Sequence, residues 1–425
     1  MKKVLILYPH FPPSNLAGVH RPRLFAQHLP EFGWEPVILT VHEKYYEEEP
    51  DWNLVKLLPK DLRVEKVKAF KITKPRLIGD IGLRAFLQLH KKAKQLIKTE
   101  QFNFLYIPIP SFYCALLGRW LHKDTGIKYG IDYIDPWVND FEGSDRILSR
   151  HWFSKKISVL LEPVAIKKAS LITGVAPGYY ADTFKRNPHL VNKIVTGAMP
   201  YGGEQNDHEI LKQLDIEPYL FKKQQGKIQL VYAGAMLPKA YAPLKAIFRA
   251  IKNNPGDFEN VEFHFIGTGK LVTDENSFSI KPFAQQYGLW QKIVFEYPKR
   301  IAYLDVLVHL QAADGIFILG STEPHYTPSK SYQGVLSGKP ILGVLHQAST
   351  AVEVIEKSGA GKVLQFDGED GIEKIESGFA AAWNSYKFFL KDFNPMQITK
   401  TLFEAYSAKS VTAQLAKLLD RVVDE

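Results

Sequence analysis

Apolar residues along the chain fall in short runs rich in β-branched side chains, separated by stretches in which they recur at helical spacing. The runs KVLILY, PVILTV, LRVEKV, FNFLYIPI, IKYGIDYI, SLITGVA and NKIVTGA predict strands. Between them, the segments near 21–32, 81–98, 111–122, 154–168 and 178–186 read as helices. Alternation of this kind implies βαβ units on a parallel sheet. It pauses over 199–226, a polar, turn-rich stretch without a strong strand signal, and restarts with KIQLVYAGA, VEFHFIG, KIVFEYP, DGIFILG, PILGVL and GKVLQF. The restart predicts an α/β chain of two Rossmann-like domains, 1–203 and 204–395, followed by a helical tail over 396–425. Two such sheets would point the carboxyl ends of their strands at a central cleft, where ligands of α/β sheets bind.

Composition adds limits to this picture. The 425 residues include 45% apolar and 23% charged side chains, an ordinary globular balance. No apolar run approaches the roughly 20 residues of a membrane-spanning helix, and MKKVLILYPHFPP lacks a small-residue cleavage site, so the expected location is cytoplasmic. Cys114 is the sole cysteine, which excludes an internal disulfide and a multi-cysteine zinc site and reads as a small buried side chain. The net charge of +9 is concentrated: between Lys60 and Lys98 stand twelve basic residues against three carboxylates, interleaved with Ile78, Ile81, Leu83, Phe86, Leu87, Leu89 and Leu96. This mixture suits contact with an anionic membrane surface, and equally a helix whose lysines face water while its apolar side packs on a sheet. No helix-turn-helix, zinc or RNA-binding signature accompanies the charge, so nucleic acid is not an expected partner.

In such folds the chemistry sits just after strands. In YPHFPPSNLAGVHRPRLF two prolines stop the first strand, Gly18 allows a close approach of the backbone, and His20 and Arg21 open the next helix, an arrangement that can hold an anion. In IDYIDPWVND, Asp132 and Asp135 end another strand. Either can take a hydroxyl proton or bond turn amides; Asp140 reads as a helix cap and Trp137 as a sugar platform or simple packing. In the second half, Gly234 follows a strand and Lys239 begins a helix, while Gly267, Thr268, Gly269 and Lys270 form either a ligand loop or an ordinary turn. In TEPHYTPSKSYQGVLSGKP, Ser329 and Ser331 can cap a helix. Lys330, however, lies at its positive end, unfavourable by up to about 1 kcal/mol unless an anion intervenes.

In their order and spacing these segments resemble the retaining glycosyltransferases of the GT-B fold, the family 4-like group (glycosyl transferases group 1) of the polysaccharide-assembly type. The resemblance spans nearly the whole chain. DYIDPW is similar to an Asp-x-Arg-Asp-Pro-Trp element with Ile134 in the arginine place, and AGAMLPKAYAPLKAI and HLQAADGIFILGSTEPHYTPSKSYQGVLSGKPIL resemble the donor-domain segments. It implies a metal-independent, hexosyltransferase-like enzyme with an amino-terminal acceptor domain and a carboxyl-terminal donor domain. Its substrate would be a nucleotide-diphosphate sugar, with no cofactor. Asp135 and Asp132 would be catalytic. Gly234, Lys239, Gly267, Thr268, Glu323, His325, Ser329, Lys330, Ser331, Tyr332 and Gln333 would bind the donor, and Gly18, His20, Arg21 and Trp137 would line the acceptor or diphosphate loop. His325 and Gln333 stand where the family has two glutamates eight residues apart, and Ala235 where it has an arginine; Lys330 and the amides of Ser331 and Tyr332 are candidates to replace the latter. The implied role is transfer to a saccharide or lipid-linked saccharide in cell-surface polysaccharide or glycolipid assembly, peripheral to the inner membrane face. The alternatives are a non-catalytic GT-B subunit, or an epimerase or phosphorylase on the same fold.

Overall fold

The computed structural model describes residues 1–73, 78–138, 147–398 and 400–424; Asp140 and Lys74 to Leu77 lie outside them. The chain forms two compact units, residues 1–201 with 408–425, and residues 202–407.

The first unit carries a seven-stranded sheet of β1 (Lys2–Leu7), β2 (Trp34–Val41), β3 (Arg63–Val67), β4 (Phe104–Ile109), β5 (Tyr129–Tyr133), β6 (Leu171–Gly174) and β7 (Val195–Ala198), in the order β3-β2-β1-β4-β5-β6-β7. The second carries six strands, β8 (Ile228–Ala233), β9 (Val261–Ile266), β10 (Val294–Tyr297), β11 (Gly315–Leu319), β12 (Ile341–His346) and β13 (Gly361–Phe366), in the order β10-β9-β8-β11-β12-β13. All neighbouring strands pair in parallel. These are the thirteen runs that the apolar pattern predicts. The inner ones read clearly because a parallel sheet is covered on both faces: every residue of β4, β9, β11 and β12 is buried, whereas the edge strands β3 and β7 are mostly unburied. Each sheet has one place where successive connections leave in opposite directions, between β1 and β4 and between β8 and β11, and a crevice opens there at the carboxyl ends of the strands.

Helices cover the first sheet on both faces. On one, helix Phe86–Thr99 buries Leu89, Ala93 and Leu96 at spacings of four and three, and packs beside helix Ala115–Thr125. Each buried leucine contributes about 1.5–3 kcal/mol. Several basic residues of 60–98 are engaged at the surface, Arg63 with Glu65 and Glu100, Lys66 with Glu43, Lys92 with Glu65 and Lys94 with Asp124. On the other face, helix Ala408–Asp424 lies against helix His20–His28, with Leu415 and Leu419 in the core formed by Phe25, Leu29 and Trp34. The helical tail is thus divided: Lys400–Glu404 stays with the second unit and Ala408–Asp424 completes the first.

Candidate functional site

In the first unit, the crevice between β1 and β4 is lined by the loops after β1, β4 and β5. Arg21 and Asp132, expected at an anion loop and at a catalytic position, instead hold each other inside the protein. The Arg21 guanidinium donates from Nε to Asp132 Oδ2 at 2.6 Å and from Nη2 to Oδ1 at 3.0 Å, while Nη1 donates to the carbonyls of Met199 and Pro200 at 2.9 Å each. Thr173 Oγ1 donates to the same carboxylate at 2.8 Å, and both members of the pair are shut off from solvent. These bonds tie β5 to helix His20–His28, so the pair is spent on the fold.

Gly18 and Trp137 also serve packing. A Cβ on Gly18 would meet the Tyr8 hydroxyl at 2.2 Å, so the neighbour that needs its small size is Tyr8. Trp137 is buried and stacks on Phe112 with centroids 6.0 Å apart. His20 is partly buried at the start of helix His20–His28.

Asp135 is different. It is solvent-exposed, yet set low enough among protein atoms that lost hydration raises its pKa to about 6. Burial, reinforced by Asp135, keeps the Tyr8 hydroxyl protonated, which puts the two side chains in one neighbourhood. Beyond β1 stands a polar group with no motif in the sequence. His10 Nδ1 lies 2.9 Å from Glu48 Oε1, and Ser14 Oγ donates to the same oxygen. Burial works to raise the Glu48 pKa, but the bonds from His10 and Ser14 outweigh it and hold the carboxyl at about 2. Glu48 is 38 residues from His10, so only the fold pairs them.

In the second unit, the crevice at β8 and β11 gathers several donor-side candidates. Gly234 follows β8 with φ of +143° and Gly267 follows β9 with φ of +73°, conformations that favour glycine. A Cβ on Gly234 would meet nothing within 4 Å, and one on Gly267 only the Arg300 Cα at 3.9 Å, so the glycines leave space beside the chain, while their own amides donate to Ile266 O at 2.9 Å and Tyr297 O at 2.8 Å. Lys239 is half-exposed, its Nζ 3.4 Å from Glu323, and its carbonyl accepts from the Thr322 amide at 3.2 Å, joining the loops after β8 and β11. Lys330 is partly buried, its ammonium 5.8 Å from the centre of the Tyr303 ring. Burial, and then the positive charge of Arg300, lower its pKa to about 8. Arg300 was not a candidate in the sequence; the apolar strand β10 delivers it from a loop that carries no glycine signature.

Other donor-side expectations are corrected by the geometry. Ser329 stands at the cap position of helix Lys330–Leu336 but makes no side-chain cap bond. Ser331 is fully buried, its amide donates to Pro328 O at 3.1 Å, and its hydroxyl has no hydrogen-bond partner among the described residues. Neither its side chain nor its amide is open to an anion, and Tyr332 is buried beside Tyr406. Thr268 is turned inward, donating to Glu296 at 2.7 Å; Glu296 also accepts from the amides of Ser279, Ile280 and Lys281 and so caps the following helix. Gln333 is buried and pairs with His208. Gln311 donates to His208 Nδ1 at 3.3 Å, so His208 Nε2 is the nitrogen that donates to Gln333 Oε1 at 2.8 Å, and burial lowers the His208 pKa to favour the neutral ring this needs. His208 comes from the polar, turn-rich stretch 199–226, which supplies helix Gln205–Glu209 and, through Asp207, a 2.8 Å bond from the Tyr303 hydroxyl. His325 sits in the turn closed by the bond from the Tyr326 amide to Glu323 O.

No family model and no curated protein sequence matches the chain. Solved structures do. A glycosyltransferase from Rickettsia africae is 14% identical, with a TM-score of 0.60 over 100% of this chain and 99% of that one. HepE of Anabaena in complex with UDP-glucose is 15% identical, with a TM-score of 0.62 over 99% and 100% of the two chains. Sucrose-phosphate synthase of Thermosynechococcus elongatus is 14% identical, with a TM-score of 0.62 over the full length of both. The two parallel sheets, their strand orders and this likeness over full length establish that the chain has the GT-B fold, two Rossmann-like domains as in these glycosyltransferases.

Proposed function

We propose that the protein transfers a sugar from a nucleotide-diphosphate donor to an acceptor hydroxyl, with retention at the anomeric carbon, in the assembly of a cell-surface polysaccharide or glycolipid. The observation that carries the reading is the partly buried ammonium of Lys330 beside Arg300 and the free space at Gly267, all at the carboxyl ends of the second sheet. Two partly buried cations side by side favour an anion between them, and a diphosphate is one. Lys239 adds a mobile cation at the same end of the sheet. In this reading these side chains take the charge of the leaving diphosphate, so the reaction proceeds without a metal ion. The solved structures with UDP and UDP-glucose on this fold support a nucleotide sugar as the donor class. In the first unit, Asp135 accepts the acceptor's hydroxyl proton or bonds to it, and His10 with Glu48 offers a second polar contact to a saccharide.

Retention and the polysaccharide role are drawn from the motif resemblance. The reading includes a protein peripheral to an anionic membrane through 60–98, which exposed Phe70, Ile72, Ile78 and Leu87 favour and which the ion pairs of that stretch weaken. Among the described residues no helix is long and apolar enough to cross a membrane. A second reading, a non-catalytic subunit of the same fold, is favoured by one observation: Gln333, at a position where the family has glutamate, is occupied by His208.

Thermal shift with UDP-, GDP- and ADP-sugars tests the proposal. At least one donor should stabilise the protein, and Lys330→Ala should remove most of that shift. A flat response to every donor refutes it; binding without any turnover of the bound donor in the presence of saccharide acceptors selects the second reading. Turnover unchanged by a chelator is expected.

A further inference from the structure

Before β8, residues 214–224 form neither helix nor strand, so their backbone groups need partners outside the regular ladders. A histidine supplies them. The amides of Tyr219 and Leu220 both donate to Nε2 of His309, at 3.1 Å each. His309 stands on helix Tyr303–Ala312 and is closed from solvent. Its Nδ1 lies 2.7 Å from the Asp305 carbonyl, which can only accept, so Nδ1 carries the proton and Nε2 is the bare acceptor. Phe221 is buried next to it, stacked on His264 of β9 with centroids 4.4 Å apart and 5.8 Å from the His309 ring. The Tyr219 hydroxyl donates to the Asp305 carboxylate at 3.2 Å, and the Lys222 carbonyl accepts from the Gln229 side chain at 3.0 Å. The outer side of the segment meets water, Tyr219 being 59% exposed. Ahead of it, helix Gln205–Glu209 holds the same helix by two more bonds, from the Tyr303 hydroxyl to Asp207 at 2.8 Å and from Gln311 to His208 at 3.3 Å. Residues 205–224 thus grip helix Tyr303–Ala312 from its first residue to its last turn.

This grip works only with a neutral ring. Protonation turns His309 Nε2 from acceptor into donor and sets it against two N–H groups that point at it. The titratable groups facing the ring are few. Asp305 lies one turn earlier on its own helix, and Tyr219 faces it from the segment. From β9 comes His264, whose Nε2 is 3.2 Å from Glu262 and whose Nδ1 is 3.2 Å from the Tyr297 hydroxyl. Lys223 and Asp314 pair at the end of the segment. Asp305 attracts an imidazolium, but burial outweighs it and lowers the His309 pKa. His208, the forward anchor, is also buried and has its pKa lowered. An opened segment therefore takes up the proton more readily than a closed one. The contribution of the contact is complete above the ordinary histidine value of 6.5 and is lost as pH falls below it. We propose that residues 214–224 are an acid-released strap: protonation of His309 frees Tyr219 to Phe221 from helix Tyr303–Ala312 while the second sheet stays folded. The helix so released begins with Tyr303, whose ring faces the Lys330 ammonium, so the strap bears on the candidate donor site without touching it. Its opening is a property of the second unit alone and stands or falls apart from the proposed sugar transfer.

The test is hydrogen–deuterium exchange of the full chain, each rate being divided by the intrinsic rate at the same pH. Protection of the amides in 214–224 should fall by about tenfold between pH 6.5 and 5, while the amides of β8, β9 and β11 keep theirs. In His309→Gln the carboxamide oxygen takes the place of Nε2 and cannot be protonated in this range, so protection of the strap should stay flat over the same window. A merely structural histidine would give a variant that is looser at every pH and still responds to acid. Should His309→Gln fail to fold, the native chain decides by itself: the imidazole resonance of His309 must titrate with the same midpoint as the loss of protection, to within about half a pH unit. The proposal is overturned if protection of 214–224 does not change with pH, or if the second sheet loses protection together with it, which would be acid unfolding of the whole unit. It is also overturned if His309→Gln responds as the native chain does, or if the two midpoints differ.

Discussion

Two aspartates three residues apart, Asp132 and Asp135, meet opposite surroundings, and their chemistry follows. Asp132 is paired, bonded by Thr173 and closed from water, so its work is structural. Arg21→Met should leave a buried carboxylate without its counter-charge and cost about 3–5 kcal/mol in denaturant unfolding. Asp135 has a raised pKa. Between its ordinary value of 3.8 and about 6 the folded state holds more proton than the unfolded chain, so this group makes stability fall as pH rises through that window. Asp135→Asn should therefore be more stable than the native chain above pH 6. If Asp135 is the proton acceptor, the same variant should lose the acid limb near pH 6 in kcat/KM. Lys330 has a lowered pKa of about 8, so its positive charge fades as pH rises past that value. Nucleotide-diphosphate binding, measured by calorimetry from pH 7 to 9.5, is expected to weaken through this window. Lys330→Met should bind roughly 10- to 100-fold more weakly and show no such pH dependence.

At the scale of elements, the site is built by loops whose shape is fixed from beneath. The Gly267 turn is held by Glu296, whose carboxylate collects the Thr268 hydroxyl and three backbone amides across residues 268 to 281. An amide side chain cannot accept at both ends, so Glu296→Gln should leave buried amides unmatched, destabilise the second unit by on the order of 3 kcal/mol, and weaken donor binding without touching the ligand. Helix Lys330–Leu336 is only seven residues long and uncapped by Ser329, so in the proposed donor site the diphosphate would meet the lysine and Arg300 more than a helix dipole. The basic helix Phe86–Thr99 shows how one pattern supports two readings: Leu89, Ala93 and Leu96 point into the core, as in any amphipathic helix on a sheet.

The whole molecule divides differently from its sequence order. Residues 202–407 form one unbroken compact unit, whereas the first unit needs 408–425 as well. A chain ending at 407 should expose the apolar faces of Phe25, Leu29 and Trp34 that Leu415 and Leu419 cover. We expect it to melt at lower temperature and to aggregate, while a 202–407 fragment folds and retains UDP-sugar binding; calorimetric melting of both would decide. Much of this architecture was legible beforehand. All thirteen strands, the parallel sheets and the restart after residue 226 follow from the sequence pattern, most plainly for the inner strands, whose burial on both faces leaves little freedom in what a strand can be. Candidate loops were legible for the same reason, since they must follow the strands. Which side chain in a loop faces inward was not. Asp132 and Asp135, or Gly18 and Gly234, present the same local signals and differ only in what the rest of the fold brings against them. The sequence by itself determined the strands, their alternation with helices and the places of the loops that follow the strands. The tertiary structure alone decided that Arg300 joins Lys330 and that Glu48 meets His10. Those pairings span distances along the chain that no periodicity encodes, and they are settled by packing and charge together.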